Sequence, residues 1–304
     1  MEIVRYVADP EAGPQIGVRR PDTGLLRLPG RTLGDLLALP LDRFRSVVES
    51  ADEAEPAPYR LLAPVDSWTE VWAAGVTYTR SREARMEESG TADVYDRVYV
   101  ADRPELFFKA PSWRVVGPGE PVGVREDSDV DVPEPELAVV LNASGDVVGV
   151  TICDDVSSRS IEGENPLYLP QAKIYAGACA LGPVIRPVWE VEDLHALDVS
   201  VEVGRGADVV WSAATSTAAL HRRVDELAAY LFRGQNQPCG AVLSTGTGLV
   251  PELDFTLRTG DEVRITIEGV GTLTNPVVRG REGLDRTPWN GWLGPVDGGV
   301  SGAA

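Results

Sequence analysis

Apolar and polar residues alternate along much of this chain over short stretches, and apolar residues recur at helical spacing in only a few places. From residue 70 to residue 271 the segments EVWAAGVTY, LFFKA, ELAVVLN, VVGVTICDDV, LDVSVEVG, DVVWSAA, AVLSTG and DEVRITIEGVG are short runs rich in apolar and β-branched residues, punctuated by Gly and Pro; each predicts a strand. In RRVDELAAYLFRGQ, Val224, Leu227, Ala228 and Leu231 share one helical face, and SREARMEES predicts another helix. Near the start, MEIVRYV and QIGVRR predict strands, and PDTG supplies a turn before LLRLPG. Thr32 is the expected N-cap of a helix over LGDLLALPLDRFRSVVES that Pro40 should interrupt. The stretch ADEAEPAPYRLLAPV, rich in Ala, Glu and Pro, reads as a linker. The expected organisation is a small N-terminal α+β domain at residues 1–62 and a main domain at 63–304, with an irregular Gly-rich end. Strands outnumber helices without regular alternation, so the expected class is α+β, mainly β, its mixed or antiparallel sheet folded on itself.

Composition narrows the partners. With 47 acidic against 28 basic residues the net charge is −19, which repels phosphate backbones and excludes nucleic acid as a partner. No apolar run approaches the roughly 18 residues that cross a bilayer, and MEIVRYVADP does not resemble a signal peptide, so a cytoplasmic protein without a membrane partner is expected. Cys153, Cys179 and Cys239 are widely spaced in apolar surroundings and fit reduced core thiols.

Candidate chemistry starts at VPEPELAVVL, residues 132 to 141, where two glutamates interrupt an otherwise buried pattern. Residues two apart on a strand share a face, so Glu134 and Glu136 project together while Pro135 points away and keeps the strand from full pairing, as at a sheet rim. Like charges held that close call for a proton or a cation. Asp154 and Asp155 end another apolar run, and only one of them can face the glutamates. Three carboxylates without His or Cys ligands fit Mg²⁺ or Mn²⁺, with Ca²⁺ admitted, better than zinc, and leave positions for a chelating substrate. Arg159 and Lys173 follow in a chain poor in cations, suited to a substrate carboxylate or to acid–base work.

The ordered series ExE, DDVSSR, QAK, GPVI, STGTG and GDEVRITIEGVGTLTNPV, over roughly residues 70 to 280, resembles the fumarylacetoacetate hydrolase family. The resemblance implies a β-sandwich roll behind a small N-terminal domain, assembled as a homodimer or a dimer of dimers. It also implies Glu134, Glu136 and Asp155 as metal ligands, Lys173 and Arg159 as the family's lysine and arginine, and Thr247 as its Gly-Thr residue. One departure matters. Hydrolytic members carry a histidine after an Asn-Tyr pair, whereas here Thr77 and Ser81 stand in those places, and His195 and His221 lie elsewhere. Without that imidazole the water-activating dyad is missing. The segments around GVTYTRSREARMEES, RPELFFKA and SRSIEGENPLYLPQAK instead resemble the family's sugar-acid branch, which places Glu105 near the substrate.

The implied reaction is dehydration of a 2-keto-3-deoxy sugar acid of the pentonate type: Mg²⁺ chelates the 2-keto acid and acidifies the adjacent carbon, an enolate develops on the metal, and the enolate expels water. Glu105 is the expected base, because the carboxylates around Lys173 favour its charged form; Lys173 is then an electrostatic or proton-donating partner. Ser81, Arg159, Thr247 and Thr272 are candidates for substrate contact. The alternatives are a carbon–carbon hydrolase of acylpyruvates or diketo acids, a 2-keto acid decarboxylase or isomerase, and a noncatalytic metal-binding scaffold.

Overall fold

A computed structural model of the chain describes residues 1–55, 58–66, 68–81, 92–281 and 284. Residues 82–89 of the helix expected over SREARMEES, and most of the Gly-rich end, lie outside them. Strands β1 (Glu2–Val7), β2 (Gln15–Arg20) and β3 (Gly24–Arg27) form an antiparallel meander; β4 (Glu53–Ala54) adds to β3 and β5 (Arg60–Leu62) to β1. Two helices cross between them, α1 (Leu33–Leu37) and α2 (Leu41–Glu49). The interruption falls at Pro40, which becomes the N-cap of α2, and Thr32 caps α1: its hydroxyl accepts from Asp35 N at 3.1 Å while the Asp35 carboxylate accepts from Thr32 N at 2.9 Å.

The expected strands of the main part are present as β6 (Glu70–Gly75), β7 (Glu105–Pro111), β10 (Pro135–Leu141), β11 (Val147–Asp155), β14 (Asp198–Arg205), β15 (Asp208–Ser216), β16 (Ala241–Ser244) and β17 (Asp261–Ile267). Further strands complete the sheets: β8 (Val122–Val124), β9 (Asp131–Val132), β12 (Ser157–Ser158), β13 (Cys179–Pro187) and β18 (Gly271–Arg279). The large sheet runs β4-β3-β2-β1-β13-β11-β10-β16-β6-β7, antiparallel except for β16 beside β6. A second sheet runs β15-β14-β17-β18-β8, and β9 pairs with β12. Further α-helices are α3 (Ala92–Val100), α4 (Arg159–Glu164), α5 (Leu169–Lys173) and α6 (Val224–Leu231); α6 buries Val224, Leu227, Ala228 and Leu231, as its periodicity requires.

The continuous apolar run of β10 is explained by burial on both faces. Leu137, Val139 and Leu141 join Val150 and Ile152 in packing against Val201, Val263, Ile265 and Leu273 of the second sheet. Ala138 and Val140 point the other way, into a cluster shared with Leu33, Leu36, Leu37 and Phe44 of the N-terminal helices. Glu134 and Glu136 continue that second face beyond the end of the ladder with β16.

Candidate active site

At Pro135 the strand is paired only to β11, through Asp154; pairing to β16 begins at Ala138. A proline removes no ladder bond there, and the two glutamates lie where the sheet opens. From β11, Asp155 faces the same side. The three residues each offer a carboxylate oxygen, and these oxygens lie within 4.8 Å of one another. All three are buried, with 4%, 2% and 1% exposure for Glu134, Glu136 and Asp155. Asp154 faces away, and its carboxylate accepts from Glu134 N at 3.0 Å; burial raises its pKa to about 7.

Three buried charges of one sign need compensation. Lys173, the last residue of α5, places its ammonium 2.6 Å from Glu134 Oε2 and 3.2 Å from Asp155 Oδ2, and donates to Ser157 Oγ at 2.6 Å. Lys109, from β7, forms an ion pair with Asp155 Oδ1 and donates to the carbonyls of Lys173 at 2.6 Å and Val156 at 3.3 Å. Glu136 takes Ser244 Oγ at 2.5 Å and Gly246 N at 2.8 Å on its Oε2. Gly246 has φ +90°, and a Cβ there would collide with Thr77, whose hydroxyl donates to Thr245 O at 2.6 Å. Burial, with the Asp155 and Glu134 charges, still pushes the Glu136 carboxyl well above its ordinary value. An all-oxygen donor set of this charge, held this close, fits a hard divalent cation such as Mg²⁺.

The cleft beside the triad is lined by Glu105, Phe107, Arg159, Glu162, Lys173, Ser81 and Thr247, among others. Glu105 opens β7 opposite Gly75, where any Cβ would run into the Glu105 carboxylate. Phe107, two residues on, lines the cleft, and Lys109, at the shift of register between β6 and β7, reaches Asp155. Arg159 is buried, with its guanidinium donating to Pro251 O at 3.1 Å. Ser81 lies at the wall, but its hydroxyl is engaged with Tyr78 O at 2.8 Å; Thr247 spends its hydroxyl on Pro135 O at 2.9 Å, so both brace the loops that form the wall. Thr272 is not brought to the cleft. It sits exposed on β18 with its hydroxyl 2.9 Å from Thr266 Oγ1, because it pairs across the outer face of the β17–β18 hairpin. Neither histidine lines the cleft: His221 stacks on Tyr99 with ring centroids 4.2 Å apart, and His195 lies in a turn, its amide donating to Asp193 Oδ1 at 2.8 Å.

Two buried residues of the site escape a reading of the sequence. Lys109 looks like an outward strand residue in LFFKA, yet it is buried where the register between β6 and β7 shifts. Glu162 reads as one more surface acid in IEGEN, yet it is 4% exposed and lines the cleft.

This fold and site define a class. The chain belongs to the fumarylacetoacetate hydrolase family: the "Fumarylacetoacetate (FAA) hydrolase C-terminal" model matches residues 70–278. Within it the chain is similar to a probable 2-keto-3-deoxyxylonate dehydratase of Haloferax volcanii, with 50% identity over 256 residues covering 81% of this chain and 88% of that one. It is also 45% identical over 227 residues to the 2-dehydro-3-deoxy-D-arabinonate dehydratase of Saccharolobus solfataricus, covering 73% and 76% of the two chains. A solved structure of 2-keto-3-deoxy-D-arabinonate dehydratase complexed with magnesium and 2,5-dioxopentanoate superposes with a TM-score of 0.81 at 36% identity, covering 92% of this chain and 100% of that chain.

Proposed function

We propose that this protein is a Mg²⁺-dependent hydro-lyase that dehydrates 2-keto-3-deoxy pentonates. The observation that carries the reading is one cleft holding the triad of Glu134, Glu136 and Asp155, a carboxylate at Glu105 and an ammonium at Lys173, with no histidine lining it. The similarity to dehydratases of this substrate class supports it. Glu134, Glu136 and Asp155 would hold the ion, which when bound supplies Lewis-acid polarisation of the 2-keto group and acidifies C3. Glu105 then removes a C3 proton. The C4–O bond breaks, and the hydroxyl leaves as water with a proton from Lys173. The resulting 3,4-unsaturated acid loses a proton from C5, which restores Lys173, and regains one at C3 from Glu105. The C5 enol ketonises to an aldehyde, so the net change is loss of one water. In this reading Arg159, which lines the same cleft, pairs with the substrate carboxylate.

Incubating the protein with Mg²⁺ and 2-keto-3-deoxy pentonates should consume the substrate and produce the semialdehyde, detected by aldehyde trapping. Turnover confined to acylpyruvates or other diketo acids would instead mark a hydrolase, and turnover confined to oxaloacetate-like acids a decarboxylase or isomerase. Unchanged metal affinity together with no difference in turnover in Glu136→Gln would support a noncatalytic scaffold. The proposal includes a division at residue 62 between a bracing N-terminal domain and the catalytic domain, since every residue of the site follows that boundary. It also includes a cytoplasmic homodimer or dimer of dimers, which size-exclusion chromatography with light scattering checks; free Cys153, Cys179 and Cys239 suit a reducing compartment.

A further inference from the structure

We infer that Lys109 and Ser244 set the metal selectivity of the site, by holding Asp155 and Glu136 to one coordinating oxygen each and so favouring Mg²⁺ over Ca²⁺. The inference rests on the metal-binding reading above but not on the substrate. Ca²⁺ takes six to eight oxygens at about 2.3–2.6 Å and readily uses both oxygens of one carboxylate, whereas Mg²⁺ requires a near-octahedral set at about 2.0–2.1 Å and keeps several waters. A site discriminates between the two ions if its carboxylates cannot turn to offer a second oxygen.

Two of the three carboxylates are held in this way by buried donors from distant parts of the chain. On Glu136, Oε2 receives both the Ser244 hydroxyl at 2.5 Å and the Gly246 amide at 2.8 Å. That amide cannot withdraw, because Gly246 is packed against Thr77, which is itself bonded to Thr245 O. On Asp155, Oδ1 is ion-paired with Lys109. Lys109, only 1% exposed, also donates from its ammonium to Lys173 O at 2.6 Å and Val156 O at 3.3 Å, so two fixed backbone acceptors anchor the ammonium that is ion-paired with Asp155 and oppose its following a turning carboxylate. Neither Lys109 nor Ser244 is a ligand. They are positioning residues that act through Asp155 and Glu136, as outer-shell donors do at metal sites generally.

The test measures Mg²⁺ and Ca²⁺ binding to the full-length, chelator-stripped protein by calorimetry, without any 2-keto acid. Lys109→Met and Ser244→Ala should each raise the ratio of Ca²⁺ to Mg²⁺ affinity by about tenfold, and Ser244→Thr, which keeps the hydroxyl, should restore the original ratio. The ratio is the readout because removing the Lys109 charge alters attraction for both ions alike, and because a merely destabilising substitution would not move it. If Lys109→Met does not fold, the Ser244 pair decides. Parallel changes for the two ions in every folded variant, with the ratio within twofold of the parent, would overturn the inference, as would failure of the parent to bind either ion. A parent that binds Mg²⁺ selectively yet leaves 2-keto-3-deoxy pentonates untouched would defeat the proposed reaction alone.

Discussion

Glu136 is a carboxyl buried between two others, and its titration links the site to the stability of the protein. Burial and the charges of Asp155 and Glu134 raise its proton affinity, against the opposing Ser244 hydrogen bond and the Lys173 charge. An unfolded glutamate titrates near 4.3, so at intermediate pH the metal-free folded chain retains a proton that the unfolded chain has released. This residue's stabilising contribution is therefore complete below about pH 4.3 and is lost as pH rises through the elevated folded value. Glu136→Gln keeps an acceptor for Ser244 and Gly246 but cannot ionise. In chelator, the melting temperature of the variant should gain on that of the parent as pH is raised from 5 to 8, while added Mg²⁺ should stabilise only the parent. A gap independent of pH would contradict this account. The two glutamates were legible in the sequence because a period of two forces them onto one face. Lys109 and Glu162 were not, because their burial depends on which strands and helices the tertiary fold brings beside them. Thr272 shows the converse, a residue of a family motif that the hairpin register turns outward.

At the scale of elements, legibility followed local chemistry. Thr32 with Asp35, and Pro40 between two amphipathic stretches, carry their own capping and breaking signals, so α1 and α2 were predictable. By contrast, β13 lies in ACALGPVIRPV, where small residues and two prolines mask its alternation, yet it joins the N-terminal meander to β11. Helices α4 and α5 are only six and five residues long, too short for periodicity to register, and they carry Arg159, Glu162 and Lys173 into the cleft. The capping box on α1 offers an element-scale prediction. Thr32→Ala removes the acceptor for Asp35 N and should lower unfolding free energy by about 1 kcal/mol in denaturant titration. Mg²⁺ affinity should remain within twofold of the parent, because no residue of α1 lines the cleft. A large loss of metal binding at unchanged stability would mean that α1 reaches the site by a route other than packing.

Across the whole molecule, the sequence suggests a linker at ADEAEPAPYRLLAPV, but the packing joins what that stretch separates. Leu33, Leu36, Leu37 and Phe44 of the N-terminal unit share one apolar cluster with Ala138, Val140, Val148, Leu181 and Val242 of the large sheet. Phe44 meets Trp189 edge-on at 6.2 Å between ring centroids, Ala143 N donates to Leu37 O at 2.8 Å, and β1 joins β13 at Ile3 and Ile185. Composition could not reveal this, because a face shared between units has the same apolar pattern as a face turned inward. The site depends on the arrangement: Glu136 continues the face of β10 that Ala138 and Val140 press against these helices, so loosening the helices loosens the strand that presents the carboxylates. Leu36 is fully buried in the cluster, and Leu36→Ala should cost about 2–5 kcal/mol. All seven tryptophans follow residue 62, so their fluorescence reports chiefly on the part of the chain beyond it, with Trp189 also sensing its contact with Phe44. If the shared core makes the molecule one cooperative unit, Leu36→Ala must shift the tryptophan-detected denaturation midpoint together with the far-ultraviolet dichroism midpoint, as a single transition. A tryptophan transition left at the parent's midpoint, with an earlier dichroism step, would show the two units unfolding separately and would remove the mechanical link between the N-terminal helices and the triad carboxylates.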